Sequence, residues 1–289
     1  MHSNDIEVLL AHHALSRAHV LGFISYCAAF LLALIDVSLA VVPLFLFVIL
    51  CMVAPFLPQF GFFLPIISRG NSGQKAVSIT FDDGPDPVTT EPLLTLLDRH
   101  GVKGTFFVVG KKAAAHPLLI KKILEKGHLL GNHSYSHDNL CMLKNSQYLF
   151  KEISATQQVL ARFHVKTLVF RPPVGITNPR LGGILNNLGM VNVNFTRRGV
   201  DFGNRRLKGL SKRVLRHLQN DHIIALHDVM PTKPTALQLW LNEIDKVLQG
   251  IKDRKMKVLP LSELIGRPVM IWTSNSNGDK YFQEASKKT

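Results

Sequence analysis

Basic residues are missing from one long stretch of this chain. Between Ala18 and Ile67 there is no lysine or arginine, and Asp36 is the only formally charged residue. A stretch of about 50 residues would extend for about 75 Å as a single helix, whereas the hydrocarbon core of a bilayer is only about 30 Å thick. One straight crossing cannot use that length, and a cleaved signal peptide would have a far shorter apolar core.

We therefore predict a transmembrane helical hairpin at residues 20–67. Its first helix would cover Val20–Leu39 and its second Leu44–Pro65, with the turn between Asp36 and Pro43. The alternative is one tilted span followed by an interfacial helix. A hairpin with basic flanks places the domain that follows it on the cytoplasmic face, and a single span would place that domain outside. In either case we expect a bacterial-type inner (cytoplasmic) membrane, with the side left open.

Cysteine and acidic residues are also scarce. Three cysteines provide no disulfide framework, so they do not argue for an oxidising compartment. From Arg69 onward the chain carries 33 of its 34 basic residues and 17 of its 20 acidic ones, a net charge of +16. This charge favours anionic partners such as membrane lipid or acidic glycans. No nucleic-acid-binding motif accompanies it, so nucleic acid is not an expected partner.

One basic segment, Arg205–His217, reads R-R-L-K-G-L-S-K-R-V-L-R-H. Contact with anionic lipid headgroups is one interpretation of this segment. A charged helix face in water is the other.

Strand-like and helix-like segments alternate from Lys75 onward. The predicted strands are Ala76–Phe81, Thr105–Gly110, His128–Asn132, Leu168–Arg171, Val191–Phe195, Ile223–His227 and Lys257–Leu261. The predicted helices are Thr90–His100, Ala113–Lys126, Gln147–Phe163, Arg180–Leu188, Ser211–Gln219 and Thr235–Gly250. This alternation predicts an α/β fold in which about seven parallel strands form an irregular (β/α) barrel. The predicted organisation is a polar lead (1–19), the membrane hairpin (20–67), a catalytic domain (68–273) and a polar flexible tail (274–289).

Two adjacent carboxylates end the first predicted strand. The stretch S-I-T-F-D-D-G-P-D-P covers Ser78–Pro87, and it delivers Asp82 and Asp83 into a turn that is rich in glycine and proline. Adjacent residues at a strand end point in different directions, so the two carboxylates can take different roles. One can bind a metal while the other handles protons. An ordinary surface turn is the alternative reading of this stretch.

A pair of histidines follows about fifty residues later. Asn132–Asp138 reads N-H-S-Y-S-H-D, which places His133 and His137 four residues apart. One helical turn or a tight loop can present both imidazoles to one point. Two histidines and one carboxylate leave open positions for water, as in a catalytic metal centre.

The order of these motifs is more specific than any of them alone. T-F-D-D-G-P is followed by H-S-x-x-H, then by R-P-P-x-G at Arg171–Gly175 and by L-H-D at Leu226–Asp228. In this order the chain resembles the polysaccharide deacetylases of carbohydrate esterase family four, over roughly Lys75–Leu264. The resemblance implies a metal-dependent hydrolase that removes an acetyl group from an N-acetylated amino sugar.

The resemblance also implies roles for individual residues. Asp83, His133 and His137 would hold a divalent metal, with Zn²⁺ as the default and Co²⁺, Ni²⁺ or Fe²⁺ as options. Asp82 would be the general base, and Arg171 would keep it ionised. His227 would be the general acid. The carboxylate that supports His227 would be Asp201, with Asp228 as its rival.

Two positions depart from the family pattern, because Val174 stands where the arginine motif usually continues with an aromatic residue and Phe202 stands where many relatives have tryptophan. Both changes reduce the aromatic surface on which a sugar ring stacks. We therefore expect a substrate other than long chitin, such as a lipid-linked or envelope amino sugar. The alternative activities are N-deformylation and O-deacetylation. A catalytically silent protein that binds glycan or lipid is a third possibility, from a different class.

Overall fold

The computed structural model describes residues 16–57 and 59–273. Most of the predicted polar lead and all of the predicted flexible tail lie outside the described residues, so those two predictions are not addressed by the structure. Within the described range, a pair of apolar helices precedes an α/β domain.

The first two helices are α1, Arg17–Ala33, and α2, Val41–Val53. They pack closely, since a Cβ atom on Gly22 would lie 2.9 Å from the ring of Phe47. Short 3-10 turns at Val37–Ala40 and Ala54–Phe56 flank α2. With these turns, α2 is part of a 20-residue helical segment, Val37–Phe56, that is long and apolar enough to cross a membrane.

Both predicted helices in this region were too long. The first ends six residues before Leu39, and the second ends at Val53 because Pro55 permits only a 3-10 turn after it. The shorter helix α1 is apolar but falls below the length of a full span. The two-pass membrane hairpin therefore stays a prediction.

Parallel strands form the centre of the α/β domain. In chain order they are β1 Ile66–Ile67, β2 Ala76–Asp82, β3 Thr105–Val108, β4 Leu129–Asn132, β6 Val169–Phe170, β7 Val191–Val193, β8 Arg197–Arg198, β9 Ile223–His227 and β10 Lys257–Val258. Their order across the sheet is β1-β7-β6-β4-β3-β2-β9-β8, with β10 also paired to β2. Strand β5, Val165–Thr167, pairs instead with the antiparallel strand β11, Met270–Trp272. All seven residues of β2 are buried, as expected for a strand covered on both faces.

The sheet curls into the predicted irregular barrel. Strands β2 and β6 are separated in the sheet by β3 and β4, which in a flat sheet would put them about 14 Å apart at the usual strand spacing. Arg171, directly after β6, nevertheless reaches Asp82 at the end of β2 with a 2.7 Å hydrogen bond. Only a strongly curved sheet allows this contact, so the α/β barrel prediction is confirmed.

Helices pack around the outside of the curled sheet. They are α3 Thr90–Arg99, α4 Gly110–Ala115, α5 Pro117–Glu125, α6 Ser146–Ala161, α7 Leu181–Leu188, α8 Leu210–Leu215, α9 Leu237–Asp253 and α10 Leu261–Leu264. Helix α9 buries Trp240, Ile244, Val247 and Ile251, a spacing that forms one apolar stripe. This stripe belongs to the main hydrophobic core, together with Ile79 and Phe81 of β2 and other residues.

Three sequence predictions of helices differ from the structure. The helix predicted over Ala113–Lys126 is divided into α4 and α5 at Pro117, which begins the second of them. The helix predicted over Ser211–Gln219 is only Leu210–Leu215, because Arg216 is extended and His217 has φ 56°. Helix α9 begins at Leu237 rather than Thr235, after a 3-10 turn at Pro234–Ala236.

Candidate active site

The predicted site residues lie at the carboxyl ends of the parallel strands. Asp82 ends β2 and His227 ends β9, and the register of these neighbouring strands pairs the two residues directly. His133 and Arg171 follow β4 and β6, which are also neighbours in the sheet. In a (β/α) barrel, this edge is where loops assemble functional sites.

Asp83, His133 and His137 converge on one point. The Asp83 Oδ1 atom lies 3.3 Å from His133 Nε2 and 2.9 Å from His137 Nε2. One ligand atom from each of the three residues lies within 4.8 Å of the others. Ligands that surround a zinc ion tetrahedrally at about 2.1 Å stand about 3.4 Å from one another. The three atoms therefore have the spacing of a metal-binding triad.

The tautomer of His133 supports the same interpretation. Its Nδ1 atom lies 2.7 Å from the backbone carbonyl oxygen of Arg171. A carbonyl can only accept a hydrogen bond, so Nδ1 carries a proton and Nε2 is the ring atom that faces Asp83. The short contact between Nε2 and the Asp83 carboxylate is stabilised by a proton or a cation between the two atoms. A ring nitrogen fixed in this way is the usual second contact of a metal-binding histidine.

The backbone is held in unusual conformations at this triad. Asp83 and His137 have φ values of 71° and 57°, in the left-handed region that most residues avoid. Lys112 donates a 2.7 Å hydrogen bond to the Asp83 carbonyl. Burial would raise the pKa of Asp83, but the hydrogen bonds and charges of the two histidines hold that pKa well below its usual value. Asp83 is therefore ionised, as a metal ligand must be.

Asp82 faces a fully buried arginine. Arg171 donates from Nη1 to Asp82 Oδ1 at 2.7 Å, and the same nitrogen donates to Thr80 at 2.7 Å. Its remaining nitrogens donate to the carbonyls of Val193 and Asn194. The guanidinium also lies 3.9 Å from the centroid of the Phe107 ring. These contacts hold the guanidinium in one position, and the guanidinium in turn orients the Asp82 carboxylate and pairs with it.

His227 is held by Asp201. The ring Nδ1 atom lies 2.9 Å from the carboxylate of Asp201, which is 1% exposed. Burial, the largest influence, lowers the pKa of His227, but this hydrogen bond and the charges of Asp201, Asp83 and Asp82 raise it to about 9. The imidazole is therefore protonated at neutral pH, with its Nε2 atom available to donate a proton.

Asp228 has a different set of contacts. It accepts hydrogen bonds from Thr89 at 2.7 Å and from Thr90 at 2.6 Å. Its side chain also packs against Gly84, where an added Cβ atom would lie 2.5 Å from Asp228 Oδ2. Burial raises the pKa of Asp228 to about 7, against the lowering effect of the two threonines. Asp228 therefore braces the turn after Asp83, and it is not the carboxylate that contacts the His227 ring.

Sequence reasoning missed Glu152, which holds the loop between the two histidines. Its Oε2 atom accepts hydrogen bonds from Tyr135 N at 3.1 Å, from Ser136 N at 2.8 Å and from Ser136 Oγ at 3.0 Å. The segment is thus a tight loop rather than a helical turn. A signal was available, because Glu152 is the charged residue on the mainly apolar buried face of α6.

A cavity of about 480 Å³ connects these groups, which is within the usual size of a small-ligand site. It is lined by Asp82, Asp83, His133, His137, Asp201 and His227. Val174 and Phe202, the two departures from the family pattern, lie at its rim with 53% and 64% exposure. The side chains of Asp82 and His227 therefore line the same cavity as the triad.

Known proteins match this chain over the α/β domain. The family model described as polysaccharide deacetylase matches residues 69–193, which include Arg171 and the triad but neither Asp201 nor His227. The peptidoglycan-N-acetylglucosamine deacetylase PgdA of Listeria monocytogenes is 29% identical over 74% of this chain and 42% of its own length. The chitooligosaccharide deacetylase of Azorhizobium caulinodans is 29% identical over 60% of this chain and 82% of its own length.

A solved structure extends the similarity to the fold. The Bc1960 peptidoglycan N-acetylglucosamine deacetylase has a TM-score of 0.64 and 27% identity, over 71% of this chain and 94% of that one. This chain spans less than half of the length of the Listeria relative. The similarity therefore concerns the deacetylase domain and not the whole of that larger protein.

Proposed function

Because the chain carries a polysaccharide deacetylase domain of carbohydrate esterase family four, we propose that it hydrolyses the N-acetyl group of an amino sugar in an envelope glycan or glycolipid. The observation that carries this proposal is the position of Asp82 and His227 in one cavity with the triad of Asp83, His133 and His137. Named relatives that act on peptidoglycan and chitooligosaccharides support the substrate class.

In this proposal Asp83, His133 and His137 hold a divalent cation. When bound, such a cation lowers the pKa of water and polarises a carbonyl oxygen. Asp82 takes the proton from the attacking water, because its carboxylate lies in the same cavity and Arg171 holds it in place. Zn²⁺ fits the nitrogen and oxygen donors, and Co²⁺, Ni²⁺ and Fe²⁺ fit the same set.

His227 gives the second proton. The leaving amine needs a proton as its bond to the carbonyl carbon breaks, and the protonated ring of His227 can supply it. Asp201 orients that ring and keeps it charged through the 2.9 Å hydrogen bond. The base, Asp82, and the acid, His227, are thus separate residues.

We also propose that residues 20–67 anchor the domain of residues 68–273 to a bacterial-type inner membrane. Large apolar side chains of α2 and its flanks, such as Phe45, Leu46 and Phe56, are exposed. A two-pass arrangement is supported by the contact between the start of α1 and the chain after α2, where Ala18 N donates to Phe62 O at 3.0 Å. Protease digestion of sealed vesicles of either orientation would test on which side the domain lies.

Activity measurements with two variants test the proposed function. Purified chain with bound metal should release acetate from N-acetylglucosamine glycans, and Asp82→Asn and His227→Ala should each lose most of this activity while keeping the metal. Release of formate or of an O-linked acetyl group instead would favour the deformylase or O-deacetylase alternative. Glycan binding without any release would favour the silent binding protein.

A further inference from the structure

We propose that the cavity takes an amino sugar whose anomeric carbon carries a phosphate joined to a lipid, and that Arg198 and Arg205 bind this phosphate. The inference deepens the proposed function, since it names the substrate of the same site. It rests on the surroundings of the two arginines and on the apolar side chains beside them.

Arg198 and Arg205 line the cavity that contains Asp82 and His227. Arg198 ends β8, where its register partner on β9 is Ala225, two residues before His227. Both side chains are exposed, and neither forms an ion pair with a carboxylate in residues 16–57 or 59–273. Arg198 only lies near the Phe195 ring, at 5.7 Å from its centroid. Two guanidinium groups thus lie beside the reacting centre with their donors unused.

A second cavity continues from Arg205 and is also basic. It adds the side chains of Arg206, Lys208 and Lys233, and no carboxylate is among its lining residues. Cations concentrated in a cleft attract anions, and the planar donors of arginine suit phosphate oxygens. The surface beside Arg205 therefore carries several cations and no carboxylate where a substrate anion would lie.

Arg213 fixes the backbone that carries this basic surface. It donates to the carbonyl oxygens of Gly199 at 2.6 Å, Lys208 at 2.8 Å and Arg206 at 2.7 Å. Arg213 is thus an internal positioning residue, which argues against its part in the lipid-contact interpretation of Arg205–His217. The loop between Gly199 and Lys208 is held in place before any ligand binds.

The chemistry of the substrate places a phosphate within reach. In a 2-acetamido sugar the acetamido group and the anomeric carbon are on adjacent ring atoms. An anomeric phosphate therefore lies close to the acetyl group that Asp82 and His227 would act upon. A neutral glycosidic oxygen at the same position would leave two arginines without an anion.

The side chains at the rim indicate a lipid rather than a soluble phosphate. Val174 and Phe202 are exposed, and both have left-handed φ values, of 62° and 52°. The exposed apolar side chains of Val174 and Phe202 therefore border the cavity where a lipid chain would leave it. The apolar helices join the domain at this edge, because Thr177 N donates to Pro55 O at 3.3 Å and Gln59 donates to Thr196 O at 3.2 Å.

Three acetylated substrates test the proposal with the full chain in detergent. They are N-acetylglucosamine joined through phosphate to a short prenyl chain, N-acetylglucosamine 1-phosphate, and the neutral octyl glycoside of N-acetylglucosamine. We expect kcat/KM for acetate release to fall in that order. The prenyl phosphate should exceed the neutral glycoside by about ten-fold or more for each arginine that binds the anion.

Variants assign this preference to the named residues. In the double variant Arg198→Ala/Arg205→Ala, the ratio of kcat/KM for each phosphate substrate to kcat/KM for the neutral glycoside should fall towards 1, mainly through a higher KM. The control variant Lys121→Ala removes an exposed charge on α5 and should leave this ratio unchanged. Phe202→Ser should reduce only the advantage of the prenyl chain over the 1-phosphate. Equal use of the 1-phosphate and the prenyl phosphate would point to a soluble sugar phosphate and overturn the lipid assignment.

Binding separates failure of this inference from failure of the proposed function. The prenyl phosphate substrate should bind Asp82→Asn, and the two arginine substitutions added to that variant should weaken binding by about ten-fold or more. Deacetylation of the neutral glycoside with no preference for phosphate would overturn the inference and leave the function standing. Tight, arginine-dependent binding of the prenyl phosphate substrate by the native chain, without release of acetate, would support this inference and overturn the proposed function.

Discussion

The Nδ1 atom of His227 lies 2.9 Å from the carboxylate of Asp201, 26 residues earlier in the chain. The carboxylate next to it in sequence, Asp228, instead binds Thr89 and Thr90. Successive residues at a strand end point to opposite faces, so the sequence neighbour cannot reach the ring. This arrangement makes the orientation of the His227 ring dependent on a loop that also lines the cavity.

Asp201→Asn should shift the pH dependence of acetate release. The pKa of His227 is raised to about 9, so the protonated ring is present below that pH and is lost above it. Without the Asp201 charge, burial dominates and the pKa falls. We expect the alkaline limb of kcat to move to lower pH by about one unit or more. An alkaline limb that stays in place would mean that His227 is not the titrating acid.

Asp228→Asn is the matched control for that experiment, and it should leave the alkaline limb in place. It should also change the pH dependence of stability. Burial raises the pKa of Asp228 to about 7, so the folded state retains a proton that the unfolded state loses near pH 4. The stability that this proton contributes is present at low pH and is lost as pH rises towards 7.

The free energy of unfolding therefore checks the role of Asp228. Compared with the native chain, the Asp228→Asn variant should gain stability between about pH 4 and pH 7, because asparagine cannot ionise. Denaturant unfolding of both proteins at several pH values measures the difference. A difference that does not vary with pH would contradict the raised pKa.

Arg171→Met should destabilise the fold and abolish the activity. Arg171 is wholly buried, and its loss leaves the carboxylate of Asp82 buried without a partner. Removal of one partner from a buried pair costs about 3–5 kcal/mol. The double variant Asp82→Asn/Arg171→Met should recover part of this stability and none of the activity. Thermal unfolding and acetate release, measured on the same samples, distinguish the two effects.

Glu152→Gln should weaken metal binding without touching a metal ligand. Glu152 holds the loop between His133 and His137 through three hydrogen bonds to one oxygen. Loss of such a supporting contact lowers metal affinity by about ten-fold or more. Competition with a chelator of known affinity measures this change. Glu263→Gln, an exposed substitution of the same type, should have no effect, and equal affinities in both variants would remove this role of Glu152.

The sequence by itself determined the alternation of strands and helices, and it identified the residues that form the triad and the Asp82–Arg171 pair. These features follow from local periodicity and from side-chain types that occur in a fixed order. The tertiary structure alone decided that Asp201 rather than Asp228 contacts His227, that Glu152 holds the histidine loop and that Arg213 is used internally. Those contacts depend on how far the sheet curls and on which loops then meet, and neither is fixed by the spacing of residues along the chain.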